Sequence, residues 1–166
     1  MAANHRAVQR LRIGREAGNM NFLQNSTDIT WRLRLRSSLN EVYQMLSTNE
    51  GRARFWAESA IETDRAIDFV FPNGLRWRGR IVEQIPPKRY VVEYIGGSIT
   101  SFDLEDDGSG GAVLTLRDVG VRAEEWEEVM AGWVSVLMAL KAAVDYGIDL
   151  RNHDARYSWE EGYVEN

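Results

Sequence analysis

The chain has no cysteine in its 166 residues, which excludes disulfides, thiolate metal ligands and a thiol nucleophile. Histidine is nearly as scarce. His5 and His153 stand in the two terminal segments without neighbouring ligand residues, so neither a metal centre nor a histidine-based triad is expected. Lysine occurs only at Lys88 and Lys141, and neither closes a glycine-rich phosphate-binding motif. The first 26 residues contain no apolar run long enough for a signal peptide or a membrane span, and a reducing cytoplasm is the expected compartment. The net charge is −5. Because Arg6, Arg10, Arg12 and Arg15 face only Glu16 in those first 26 residues, the rest is more acidic than the total implies, and no nucleic-acid role is expected.

What the chain does have is apolar and aromatic surface. Hydrophobic residues make up 44%, with six Trp, six Tyr and five Phe, enough to build the core of one domain. Trp126, Met130, Trp133, Leu137, Leu140 and Val144 recur at spacings of three and four, which predicts a helix over 122–146 with one apolar stripe. Glu124, Glu125, Glu127, Glu128, Lys141 and Asp145 occupy the other face, and Gly147 is placed as a left-handed C-terminal cap.

The stretch before this helix reads as short strands. Residues 29–36 alternate strictly between apolar side chains and Thr30, Arg32, Arg34 and Arg36, as a strand with one buried and one wet face does. Ser38 or Asn40 can cap a helix over 39–47, and a second short helix is expected near 50–55. Strands follow near 57–63, 65–71, 75–85, 89–95, 98–105 and 111–119. Pro72-Asn73-Gly74, Pro86-Pro87 and a glycine-rich loop over 106–111 mark turns between them. The expected order is β-α-α-β-β-β-β-β-β-α. This is an α+β fold in which a curved antiparallel sheet wraps around a long C-terminal helix. Residues 1–26 read as a mobile or loosely attached arm, 27–150 as the domain, and 151–166 as a docked tail carrying Tyr157, Trp159 and Tyr163.

Phe55-Trp56 after the short helices, Gly79-Arg80-Ile81 followed by Pro86-Pro87, and Gly132-Trp133 followed by Leu137 and Leu140 together carry a family resemblance. Residues 28–150 resemble the START-like helix-grip (SRPBCC) superfamily, in the branch similar to the activator of heat-shock protein 90 ATPase. The resemblance implies the helix-grip fold and admits lipid carriers, receptors, cyclases and co-chaperones. The full co-chaperone has an additional N-terminal domain. Only 26 unpatterned residues precede the first strand here, so binding of a small hydrophobic ligand is expected ahead of a chaperone partnership.

Strand parity and the helix stripe nominate the residues that would line a cavity between sheet and helix. They are Trp31, Leu33, Trp77, Gly79, Ile81, Tyr90, Val92, Tyr94, Phe102, Leu114, Leu116, Asp118, Met130, Trp133 and Leu137. The alternative is that these side chains simply fill the core. Gly79, Gly96, Gly97 and Gly132 are places where side-chain volume is missing. Asp118 could orient a ligand or satisfy the free amides at the start of the long helix, and Tyr90 and Tyr94 need a polar partner from protein or ligand. Only these three offer titratable groups for an enzyme, so no catalytic residue, metal or cofactor is assigned. Asp103-x-Glu105-x-Asp107-Gly108 resembles the start of a calcium loop. Its twelfth position is Leu114 and no helices flank it, so a hairpin turn is expected. The arginine ladders at 32, 34, 36 and at 76, 78, 80 read as solvated charge pairing, and the tail aromatics leave a homodimer open.

Overall fold

A computed structural model describes residues 28–164; the arm expected over 1–26 lies outside the described residues. The elements follow the expected order: β1 (Ile29–Leu35), α1 (Leu39–Ser47), α2 (Asn49–Ala53), β2 (Ser59–Thr63), β3 (Ala66–Val70), β4 (Arg76–Ile85), β5 (Arg89–Glu93), β6 (Ile99–Asp106), β7 (Ala112–Val119) and α3 (Trp126–Tyr146). The seven strands form one antiparallel sheet in the order β1-β7-β6-β5-β4-β3-β2. Every sequential pair from β2 to β7 is adjacent, and β1 returns to close the far side against β7.

Local signals account for the boundaries. Ser38 caps α1 in a reciprocal box: its hydroxyl accepts from the Glu41 amide, and the Glu41 carboxylate accepts from the Ser38 amide at 2.8 Å. Thr48 caps α2 by accepting from the Gly51 amide at 3.0 Å. Gly147, at φ 68°, ends α3 in the left-handed conformation that glycine adopts without steric cost. A 3-10 turn over Ala123–Glu125 replaces the first turn expected of the long helix, so α3 proper starts at Trp126.

The sheet bends at β4. Residues 76–80 pair with β3 and residues 81–85 with β5, and Val82 is an extra residue in the register between them. Gly79 lies at this bend, where a Cβ would meet the Glu93 carbonyl oxygen at 2.2 Å. Its missing side chain therefore serves backbone packing.

The concave face holds both helical units. Val42, Tyr43, Met45 and Leu46 of α1 and Trp133, Leu137, Leu140 and Ala143 of α3 are buried against Leu33, Ile81, Tyr90, Val92, Phe102, Leu114 and Leu116. By length and composition the stretch Ala123–Tyr146 could also cross a membrane, but here its apolar stripe is the inner wall of the domain. Asp145 ties the end of α3 to the turn after β1, accepting from the amides of Arg36 and Ser37 at 3.0 Å and from Lys141 at 3.1 Å. Burial alone would raise its pKa; these bonds outweigh that and lower it.

The wet face is laced with ion pairs: Arg34 with Asp107, Arg78 with Asp68, Arg80 with Glu93, and Arg89 with Glu83 and Asp103. The acidic loop is a hairpin connection. Asp107 accepts from the hydroxyl and amide of Ser109, the amide of Gly111 and Arg34, which together hold its carboxyl far below the usual range. Among the described residues no cluster of three or more acidic or histidine side chains is placed to hold a metal ion.

Candidate functional site

The chain leaves α2 through a turn that drives Phe55 and Trp56 into the core, exposed by only 1% and 3%. Trp56 becomes the hub of an aromatic cluster, with ring centroids 5.7 Å from Phe55, 5.1 Å from Phe69, 5.4 Å from Tyr94, 5.3 Å from Phe102 and 6.0 Å from Trp133. Most of these rings meet tilted or edge-on, the arrangement their quadrupoles favour. The Trp56 indole N–H donates to the Tyr94 hydroxyl at 3.0 Å. Burial pushes the Tyr94 phenol well above its ordinary pKa, so Tyr94 is a neutral hydroxyl at physiological pH.

A second polar unit lies beside the first. Asp118 near the end of β7 is fully buried. Its carboxylate accepts from the Thr100 hydroxyl of β6 at 3.0 Å and from the Trp133 indole N–H of α3 at 2.8 Å. It does not cap the long helix, whose first turn has no side-chain cap. Asp118 joins sheet to helix and fixes the orientation of the Trp133 ring, which lies 5.0 Å from Tyr94.

These groups form the inner wall of a cavity of about 300 Å³ between one end of the sheet and the first half of α3. Phe55, Trp56 and Ala57 form one side, Val129, Gly132, Trp133, Val136 and Ala139 of α3 another, and Tyr94, Ser98 and Asp118 the floor. The mouth is framed by the β3–β4 turn at Phe71–Leu75, the glycine turn after β5, and Arg122, Glu125 and Glu128. The tail completes it. Arg151 donates to the carbonyls of Ala57 at 2.8 Å and Ala53 at 2.7 Å, and Glu160 accepts from Asn73 at 2.8 Å across the opening. Trp159 and Glu160 thereby stand at the rim. Tyr157 and Tyr163 instead stack edge-on at 5.0 Å and remain about 40% exposed.

Gly132 is the position where the helix yields space. A Cβ built there meets no atom within 4 Å. With these walls in place, the family can be read directly from the sequence match: the pattern described as Activator of Hsp90 ATPase homolog 1-like protein fits residues 36–145. The chain belongs to this family. No curated protein matches it in sequence. Solved structures share the fold. The Aha1 dimer of Colwellia psychrerythraea superposes with a TM-score of 0.65 at 22% identity, over 72% of this chain and 97% of that one. Protein SSP2350 of Staphylococcus saprophyticus gives 0.65 at 18% identity, over 75% and 96%. CalU16 of Micromonospora echinospora gives 0.61 at 19% identity, over 72% and 77%.

In this Activator of Hsp90 ATPase homolog 1-like chain the nominated site residues fall into three groups. Tyr94, Asp118 and Trp133 line the cavity. Leu33, Gly79, Ile81, Tyr90, Val92, Phe102, Leu114, Leu116 and Leu137 are buried in the core and are not among its walls. Trp31, Trp77 and Met130 pack partly buried against that core. The indole N–H groups of Trp31 and Trp77 have no partner among the described residues, whereas the Tyr90 hydroxyl accepts from the fully buried Arg52 at 3.1 Å. The middle of the sheet is filled because Tyr43, Met45 and Leu46 of α1 and the Trp56 ring occupy it, and the cavity lies towards the N-terminal half of α3.

The walls that parity missed are Phe55, Trp56, Phe71, Val129, Val136 and the rim residues Arg151 and Trp159. Phe55 and Trp56 lie in a turn, where no period marks a face, whereas Phe71, just past the end of β3, continues the inward parity of Ile67 and Phe69. Val129 and Val136 flank the apolar stripe, so a wider stripe on the helix would have included them.

Proposed function

We propose that this protein is a cytoplasmic binding module that holds a small hydrophobic or aromatic molecule between the end of the sheet and α3. The observation that carries this reading is the cavity itself. It is a space of about 300 Å³ walled by Phe55, Trp56, Tyr94 and Trp133, with Gly132 facing open volume. Such a volume is at the small end of ligand pockets, and its mixture of aromatic walls with two placed polar groups suits a compact, largely apolar guest. Nothing in the walls resembles a nucleophile activated by a base, so binding is favoured over catalysis.

The test is a panel of small aromatic fluorophores and metabolites, read by thermal shift and by quenching of tryptophan emission, since Trp56, Trp133 and Trp159 all border the cavity. At least one member is expected to bind saturably and raise the melting temperature with concentration. A panel without saturable binding overturns the proposal. The family match supports a second reading, in which the protein contacts a chaperone. We rank it below ligand binding, and no stimulation of a cognate heat-shock protein 90 ATPase is expected. The Colwellia Aha1 is a dimer. A homodimer of this chain is tested by light scattering of the same samples.

A further inference from the structure

We infer that the guest of this cavity is a compact organic cation, an amine carried on an aromatic or aliphatic body. The inference rests on the ligand-binding reading above and adds the charge of the ligand to it. Its first support is Asp118. A carboxylate that is fully buried and, among the described residues, receives side-chain hydrogen bonds from two neutral donors, Thr100 and Trp133, is costly to keep in a protein interior. Among the described residues no arginine, lysine or histidine forms an ion pair with it. Asp118 belongs to the cavity floor but has no exposed surface, so its negative charge acts on an occupant at short range through the low-dielectric wall and not by a direct hydrogen bond.

The walls around Asp118 favour the same sign of charge. The rings of Trp56, Trp133 and Tyr94 line the space, and an aromatic ring attracts an ammonium group to its negative face, most strongly when water is excluded. The rim is acidic too. Glu125, Glu128 and Glu160 stand there with Arg122 and Arg151. Arg122 is engaged by Glu125, and Arg151 is engaged by Asp149 and two backbone carbonyls. An approaching cation therefore meets an excess of carboxylate at the mouth and a lone carboxylate inside. An anion meets the reverse.

Three probes of nearly equal shape separate this inference from the reading it rests on: 1-naphthylmethylamine, which is cationic at neutral pH, 1-naphthalenemethanol, which is neutral, and 1-naphthoic acid, which is anionic. Titration of the full chain at pH 7, followed by calorimetry or tryptophan quenching, should place the amine at least tenfold tighter than the alcohol, about 1.4 kcal/mol. The acid should be the weakest of the three. Asp118→Asn keeps the shape of the side chain, and it should remove the preference for the amine over the alcohol, so that the ratio of their affinities falls to about one. If that variant does not fold, the ratio measured on the wild type still decides. Equal or tighter binding of the alcohol or the acid overturns the cation inference and leaves the cavity reading intact. Failure of all three probes to bind counts against both.

Discussion

Gly132 tests helix, cavity and function at one position. It lies inside α3, where glycine lowers helix stability by roughly 0.5–1 kcal/mol relative to alanine. A Cβ there meets nothing within 4 Å, so Gly132→Ala has no clash to offset that gain. For a chain of 166 residues it should raise the melting temperature by roughly 1–4 °C. Gly132→Leu shares the helix benefit and extends a branched side chain into the cavity of about 300 Å³. Even partial burial of that side chain adds stability, since a fully buried leucine contributes about 1.5–3 kcal/mol. The leucine variant should therefore be at least as stable as wild type while losing most of its affinity for 1-naphthylmethylamine. Urea denaturation gives the first quantity and titration the second. Destabilisation of both variants would mean that position 132 is packed. Full retention of binding by a stable leucine variant would place the binding site elsewhere.

Three further outcomes follow from the same geometry. Trp133→Ala should cost about 3–5 kcal/mol in urea unfolding, because it removes a buried indole and one of the two donors to Asp118; an unchanged midpoint would contradict this packing. Gly79→Ala should destabilise by about 1–3 kcal/mol, because its Cβ would lie 2.2 Å from the Glu93 carbonyl oxygen, and a neutral result would refute the close approach at the β4 bend. Asp149 is raised by burial but lowered further by hydrogen bonds from the Arg151 side chain and amide, to about 2 against an ordinary 3.8. Its contribution to stability is therefore complete above about pH 4 and is lost as the pH falls towards 2. The difference in unfolding midpoint between wild type and Asp149→Asn should shrink across that window, and a difference independent of pH would show that the carboxylate does not hold Arg151.

The periodicities determined the elements. Alternation in Ile29–Leu35 and in Ala112–Val119 specifies strands with one buried face, and the stripe through Trp133, Leu137 and Leu140 specifies the helix that covers them. Their order, with the caps at Ser38 and Gly147, is also local information, because each signal acts within a few residues of itself. The position of the cavity is not local. Strand parity tells which side chains face inward, but not which of them meet another atom there. That was decided by α1 and the turn at Phe55-Trp56, which fill the middle of the concave face. Residual space lies at one end, beside Gly132 and the incoming tail. Asp118 shows the same division: alternation placed it inward, while its bond to Trp133 depends on how α3 crosses the sheet. A void is a property of all its walls at once, and these walls come from turns, strands, helix and tail that only the tertiary fold brings together.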